Sequence, residues 1–236
     1  VDTVACCWRD GEVLHESQLG LSPQGRPLHA TRLLEEVERA AAAGGGWGEV
    51  DLIAVGLGPG TFTGLRIGIS TARGLALSLG LPARGVCTLD ALAAGISEAG
   101  SSSVPFRDIA TKRNRSTLAV LDGWRGEVFA ALYSAEGERI WEPAVYRPED
   151  LADRVAALDR PPAVAGSGAV RFRQELARDG VRIADDSDPV HRVAGRHICA
   201  LAAESTGEDP DGLAPIYLRP PDAERWRERD ASQRAE

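Results

Sequence analysis

Hydrophobic positions along the chain fall into short unbroken runs separated by longer stretches with helical spacing, and this alternation sets the order of elements. Val4-Ala-Cys-Cys-Trp8 and Val13-Leu14 flank Arg9-Asp10-Gly11; an Asp-Gly pair between apolar runs predicts a β-hairpin. Residues 22–27 read as a loop. Ala30, Leu33, Leu34, Val37, Ala40 and Ala41 then repeat at i, i+3, i+4 and i+7, which predicts an amphipathic helix over 29–43 that Gly44-Gly-Gly46 ends. Residues 51–57, Asp-Leu-Ile-Ala-Val-Gly-Leu, are nearly unbroken apolar sequence, as in a strand covered on both faces of a mixed or parallel sheet. Gly58-Pro59-Gly60 supplies a turn, and a long helix follows from near Thr63, with Thr61 or Thr63 able to cap its free N–H groups. A strand over 84–88 and a helix over 89–98 complete the first half.

Gly100-Ser-Ser-Ser103 is the most linker-like stretch and places a boundary between domains of residues 1–101 and 102–236. Beyond it the pattern predicts strands over 117–121, 127–134 and 139–146, a helix over 148–158 and a strand over 163–165. A helix over 170–179, a strand over 181–184 and a helix over 191–205 follow. The tail, 213–236, is charged after Pro221 and is expected to fray. Strands interleaved with helices in this way indicate an α/β chain.

Asp10-Gly-Glu-Val-Leu14 with Glu16 matches Glu136-Gly-Glu-Arg-Ile140 with Glu142, both at a hairpin turn after an Asp-bearing strand end, which suggests two similar halves. Asp122 lies 15 positions before Gly137 but Asp2 only 9 before Gly11, so the first half is six residues short (15 minus 9). The expectation is that residues preceding Val1, and a loop between Thr3 and Val4, are missing from the sequence.

Gly64, Gly68, Ala72, Ala76 and Gly80 recur every fourth residue of the long helix. Gly64, Gly68 and Gly74 each cost about 1 kcal/mol of helix propensity relative to alanine, so something offsets them: either close packing on the chain's own sheet or a seat for a partner helix. The turn before this helix is not a P-loop, because Thr63-Gly64-Leu65 stands where Gly-Lys-Ser/Thr is required. A dinucleotide fingerprint fails as well, since the third glycine falls at 64 and not at 63. An anion at the helix start, beside Arg66, stays open.

Composition narrows the classes further. With 27 basic and 35 acidic residues the net charge is -8, which disfavours independent gripping of nucleic acid. Cys6, Cys7, Cys87 and Cys199 show no metal-binding spacing, and Cys6 and Cys7 point to opposite faces of a strand, so buried free thiols in a reduced cytoplasmic setting are expected. No apolar run is long enough to span a bilayer. Of His15, His29, His191 and His197, no two are four apart on a helix; His191 and His197, six apart, fall on opposite sides of a turn. No Gly-x-Ser-x-Gly elbow supports a Ser-His-Asp hydrolase or peptidase.

The stretch GLGPGTFTGLRIGISTARGLALSLGLPARGVCTLDALA resembles the signature of the TsaB (YeaZ) family, and LAVLDGWRGEVFAALY and LAPIYLRPPDAE resemble that family's second-domain hairpin and C-terminal segment. The resemblance implies two RNase H-like domains of the actin and sugar-kinase (ASKHA) type. It implies a non-catalytic partner of TsaD, the transferase that places a threonylcarbamoyl group on adenosine 37 of tRNA, with the ATPase TsaE as third component. By resemblance the helices over 29–43 and 63–79 form the docking surface for TsaD, or for a second copy when the chain is alone; Leu33, Val37, Gly64, Leu65, Gly68, Ile69, Ala72 and Ala76 are the expected contacts. No catalytic, cofactor or metal residue is assigned, and tRNA is reached only through the complex. The alternative is a small-molecule kinase or carbamoyl transferase of the same superfamily using Asp2 and Asp122 across a cleft, with Gly166-Ser167-Gly168 as an adenosine-side turn.

Overall fold

The computed structural model describes residues 3–20, 29–102, 115–178, 180–205 and 210–219. The expected loop at 22–27, Asp2, Ser103 and the tail from 220 lie outside the described residues. Strands β1 (Thr3–Arg9) and β2 (Glu12–Leu19) form the expected hairpin. Asp10 and Gly11 turn it with φ of 49° and 90°, the left-handed pair that matches strand twist and that Asp-Gly adopts readily. Thr3 and Val4 are consecutive residues of β1, paired with Leu19 and Gln18. The loop expected between them is therefore not there: the strand ladder passes through both positions without interruption.

Helix α1 (His29–Ala43) ends as expected, with the Gly45 and Gly46 amides donating to Ala42 and Ala41 carbonyls. Strand β3 (Ile53–Gly58) leads into helix α2 (Phe62–Leu79), and Gly80, at φ 67°, closes that helix in the left-handed conformation. Thr61 holds the N-cap position, yet its hydroxyl makes no capping bond. Strand β4 (Ala83–Cys87) runs parallel to β3, and helix α3 (Thr88–Ser102) continues four residues past its expected end at 98, into the stretch that reads as a linker.

The second half holds β5 (Thr117–Asp122), β6 (Val128–Tyr133), β7 (Arg139–Tyr146), helix α4 (Pro148–Ala156), β8 (Ala163–Ala165), the short helices α5 (Ser167–Arg171) and α6 (Arg173–Leu176), β9 (Arg182–Ile183) and helix α7 (Gly195–Glu204). Two expectations are corrected here. The helix over 170–179 is broken at Phe172, whose φ of -110° and ψ of 36° leave the helical region. His191 is not on the last helix but ends a 3-10 turn, Pro189–His191, that Asp188 caps by accepting from the Val190 amide.

Strand order in the second half is β7-β6-β5-β8-β9, antiparallel on the β6 side of β5 and parallel on the β8 side. The first half has two separate two-stranded pieces, β1-β2 and β3-β4. The halves interlock through their helices: α3 packs on β5, while α7, from the far end of the chain, packs on β1, β3 and β4. Leu89, Leu92 and Ile96 of α3 are fully buried in one core with Ala119, Phe129 and Tyr133. At its edge Asp90 accepts from the Tyr133 hydroxyl at 2.7 Å and from Arg139 at 2.9 and 2.6 Å; burial, with that bond, pushes the Tyr133 phenol well above its usual range.

Candidate docking face

Helices α1 and α2 lie side by side, α1 over β1 and β2 and α2 over β3. The small-residue line of α2 does not form one outward ridge. At 3.6 residues per turn each four-residue step overshoots by about 40°, so Gly64, Gly68, Ala72 and Ala76 wind from the α1 side of the helix into the core. Ala72 and Ala76 are 6% and 0% exposed, and Ile69 is 5% exposed, packed with Ala76, Ala83 and Leu213. These three residues, expected at a partner surface, face the chain's own interior. A Cβ on Gly68 would stand 4.0 Å from Val55 Cγ2, in ordinary contact with β3. Leu33, Val37, Gly64 and Leu65 are half-buried.

The open side of α2 carries other residues. Thr63, Ser70, Gly74 and Leu77 are exposed and Ile67 is half-buried between them; a Cβ on Gly74 would meet nothing within 4 Å. Leu77 and, on α1, Leu34 are 58% and 51% exposed. At the start of α2, Phe62 stacks on Tyr217 with centroids 5.6 Å apart, and Arg66 lies over the Phe62 ring at 3.8 Å while donating to the Tyr217 hydroxyl at 3.0 Å. Both aromatics are exposed. Spacing alone missed Phe62, Gly74, Leu77 and Tyr217. The available signal was the α2 wheel: once Ile69, Ala72 and Ala76 are turned inward, these α2 residues fall opposite or to one side.

The three sequence stretches that carry the family resemblance meet here. The Ile216 amide donates to the Leu57 carbonyl at 2.8 Å, and Arg219 forms a short ion pair with Glu127. The C-terminal segment thereby ties the strand before α2 to the turn between β5 and β6.

The candidate chemical residues are engaged within the chain. Asp122 accepts from the Trp124 amide at 2.9 Å and from Arg171 at 2.6 Å, and Asp2 lies outside the described residues. Gly166 and Gly168 are required for packing, since a Cβ there would stand 2.1 Å from the Val120 carbonyl oxygen and 2.8 Å from Leu121; Ser167 Oγ accepts from the Asp122 amide. His191 is buried, its Nδ1 accepting from the Gly166 amide at 3.1 Å and its Nε2 lying 3.2 Å from the Ala184 carbonyl, an arrangement that fixes the Nε2–H tautomer. His197 is buried beside Glu98, with Nε2 to Oε2 at 3.2 Å. Burial first, and then the Arg196 charge, lower its pKa against the opposing pull of Glu98 and Glu16; the neutral ring is the form this site holds. Among the described residues no group of three His, Cys, Asp or Glu side chains is placed to hold a metal, and no helix is long and apolar enough to cross a membrane. The four cysteines are free; the Cys6 thiol faces the Cys199 thiol of α7 while Cys7 lies against Gly44, on opposite faces of β1 as expected.

Comparison with known proteins gives this arrangement its context. The family model described as TsaD, tRNA N6-adenosine threonylcarbamoyltransferase, matches residues 12–175. The tRNA threonylcarbamoyladenosine biosynthesis protein TsaB of Escherichia coli is 30% identical over 230 residues, covering 92% of this chain and 91% of that protein. TsaB of Bacillus subtilis is 28% identical over 183 residues, covering 75% and 74%. The solved structure of YeaZ from Pseudomonas aeruginosa has a TM-score of 0.64 at 25% identity, covering 92% of this chain and 100% of that one. A second crystal structure, of a Pseudomonas aeruginosa protein with similarity to peptidase YeaZ, has a TM-score of 0.67 at 27% identity. With a mixed α/β fold, a match over 92% of the chain and the GPGTFTG turn leading into α2, the chain belongs to the TsaB (YeaZ) family, within the wider group that the TsaD model describes.

Proposed function

We propose that this chain is a non-catalytic subunit of the machinery that forms N6-threonylcarbamoyladenosine at position 37 of tRNA, acting by docking TsaD, with TsaE as the third component. The observation that carries this reading is the likeness to TsaB of Escherichia coli over 92% of the chain. On this reading the chain works in the cytoplasm, meets tRNA only through the complex, and is built as two RNase H-like domains divided near residue 101; the recurrence of the β-hairpin in both halves supports that division.

The docking surface is the open side of the α1–α2 pair, with Leu34, Ile67, Gly74 and Leu77 at its centre and Leu33, Val37, Gly64, Leu65 and Gly68 lining the seam beneath. An exposed apolar stripe with a glycine at its middle lets a partner helix approach closely. Without TsaD the same stripe pairs with itself about a two-fold axis. Support for a silent cleft comes from Asp122, whose carboxylate is already neutralised by Arg171.

The test is co-purification with TsaD. Gly74→Arg, at a position where an added Cβ meets nothing within 4 Å, is expected to abolish both the self-pair and the TsaD complex at unchanged circular dichroism; retained co-purification refutes the face. Calorimetry with Mg-ATP addresses chemistry separately: heat of binding to the isolated chain contradicts a silent subunit.

A further inference from the structure

Helix α7 reaches β1 through a position where a side chain would collide with the strand. A Cβ on Gly195 would stand 2.6 Å from Cys6 Cβ and 2.9 Å from Val4 Cγ1, so the first turn of α7 lies directly on the face of β1 that Val4 and Cys6 share as alternate residues. Glu16, the cross-strand partner of Cys6 on β2, holds the same turn. Its Oε1 accepts from the Arg196 amide and its Oε2 from the Arg196 guanidinium, both at 2.9 Å. Cys199 follows Gly195 by four residues, one turn further along the same side of the helix. This placement brings the Cys199 thiol to face the Cys6 thiol, although the two residues are 193 positions apart in the chain (199 minus 6).

The two thiols are not equivalent. The facing Cys6 thiol lowers the Cys199 pKa against the opposing effect of burial, whereas Cys6 is raised, by Cys199 first and then by burial. Cys199 is therefore the thiol that ionises first and attacks, and Cys6 the one that follows. Both are half-buried and within reach of a small reagent, while Cys87 is buried and Cys7 lies against Gly44 on the other face of β1. Neither Cys6 nor Cys199 belongs to the docking face or to the surroundings of Asp122.

We propose that Cys6 and Cys199 form a reversible thiol/disulfide site that reacts with low-molecular-weight disulfides and staples the first hairpin to α7. The Cys199 thiolate attacks one sulfur of the small disulfide, breaking its S–S bond and releasing one small thiolate. Cys6 then loses its proton and attacks Cys199 Sγ of the mixed disulfide, releasing the second; the protein gives up two electrons and two protons, and the reagent leaves as two thiols. The new bond closes a loop from Cys6 to Cys199, and so long a loop stabilises mainly by restricting the unfolded chain. Because α1 packs on β1 and β2, and α7 on β1, β3 and β4, the staple ties the hairpin under α1 to the helix that covers the neighbouring strand pair.

Treating the folded 236-residue chain with oxidised glutathione, then alkylating and mapping its tryptic peptides by mass spectrometry, tests this without reference to TsaD or tRNA. The expected product is an intramolecular link between the peptide of residues 1–9 and the peptide that begins at His197. It is expected in the unaltered chain and in Cys7→Ser, absent from Cys6→Ser and Cys199→Ser, and undone by dithiothreitol. In urea the linked protein is expected to show a folded-to-unfolded ratio about a thousandfold above that of the reduced protein, and Cys87 is expected to stay unmodified until the chain unfolds. Four results overturn the proposal: a link from Cys199 to Cys7, a bond between Cys6 and Cys7, glutathione retained on Cys199 with no link, or a link that forms as fast in the urea-unfolded chain as in the folded one.

Discussion

The strands of the two halves start from similar sequence and reach different degrees of closure. In the second half β5 is flanked on both sides, and its side chains are sealed between α3 on one face and α4–α6 elements on the other. In the first half β1 and β3 carry apolar runs too, but among the described residues no strand pairs with both, and β3 is half-buried along most of its length. The contrast teaches that a run of Ile, Ala and Val specifies a strand but not its burial; burial comes from the neighbour that completes the sheet.

Glycine replacement is expected to separate the regions most widely. Gly166→Ala puts a Cβ 2.1 Å from the Val120 carbonyl oxygen at a backbone φ of 120°, so a loss of about 4 kcal/mol or more, or no folded protein, is expected. Gly74→Ala meets open space on a helix and is expected to gain about 0.5–1 kcal/mol. Urea unfolding of both variants checks this, and a Gly74→Ala loss of similar size to that at Gly166 breaks the comparison.

Core truncation comes next. Leu118→Ala, at a residue 1% exposed, is expected to cost about 2–5 kcal/mol. Ile53→Ala, at a half-buried residue of β3, is expected to cost about 1 kcal/mol, since its atoms leave water only in part. Equal costs by chemical denaturation would break the comparison.

The smallest expected effect is a pH dependence at α7, which packs on β1, β3 and β4. The folded pKa of His197 lies below its ordinary 6.5, so the unfolded chain takes up the proton first. Its contribution to stability is present above about pH 6.5 and falls as pH drops through that value towards the lowered folded pKa. His197→Asn is expected to flatten the stability profile between pH 7 and 5; an unchanged slope contradicts it.

Much of the fold was legible because period and punctuation agree locally. The 29–43 stripe and its Gly44–Gly46 stop gave α1 to the residue, and Asp10-Gly11 gave the first hairpin. What the sequence could not resolve depends on tertiary partners. Equal four-residue spacing names a line of small residues on α2 but not which side faces β3; Ile69 and Ala76 pack with Ala83 and Leu213, and Ala72 is buried too, which the spacing alone does not reveal. His191 looked helical because residues 191–205 continue a helical pattern; its ring instead bonds Gly166 and Ala184 across the second core.

The central claim is that the chain supports TsaD by docking and does no chemistry itself. Its most direct test is reconstitution: TsaD, TsaE, the adenylate donor and unmodified tRNA, with and without this chain. The account predicts N6-threonylcarbamoyladenosine formation that depends on the chain, survives Asp122→Asn and is lost with Gly74→Arg. Modification that proceeds equally without the chain, or that Asp122→Asn abolishes while the TsaD complex still forms, contradicts it.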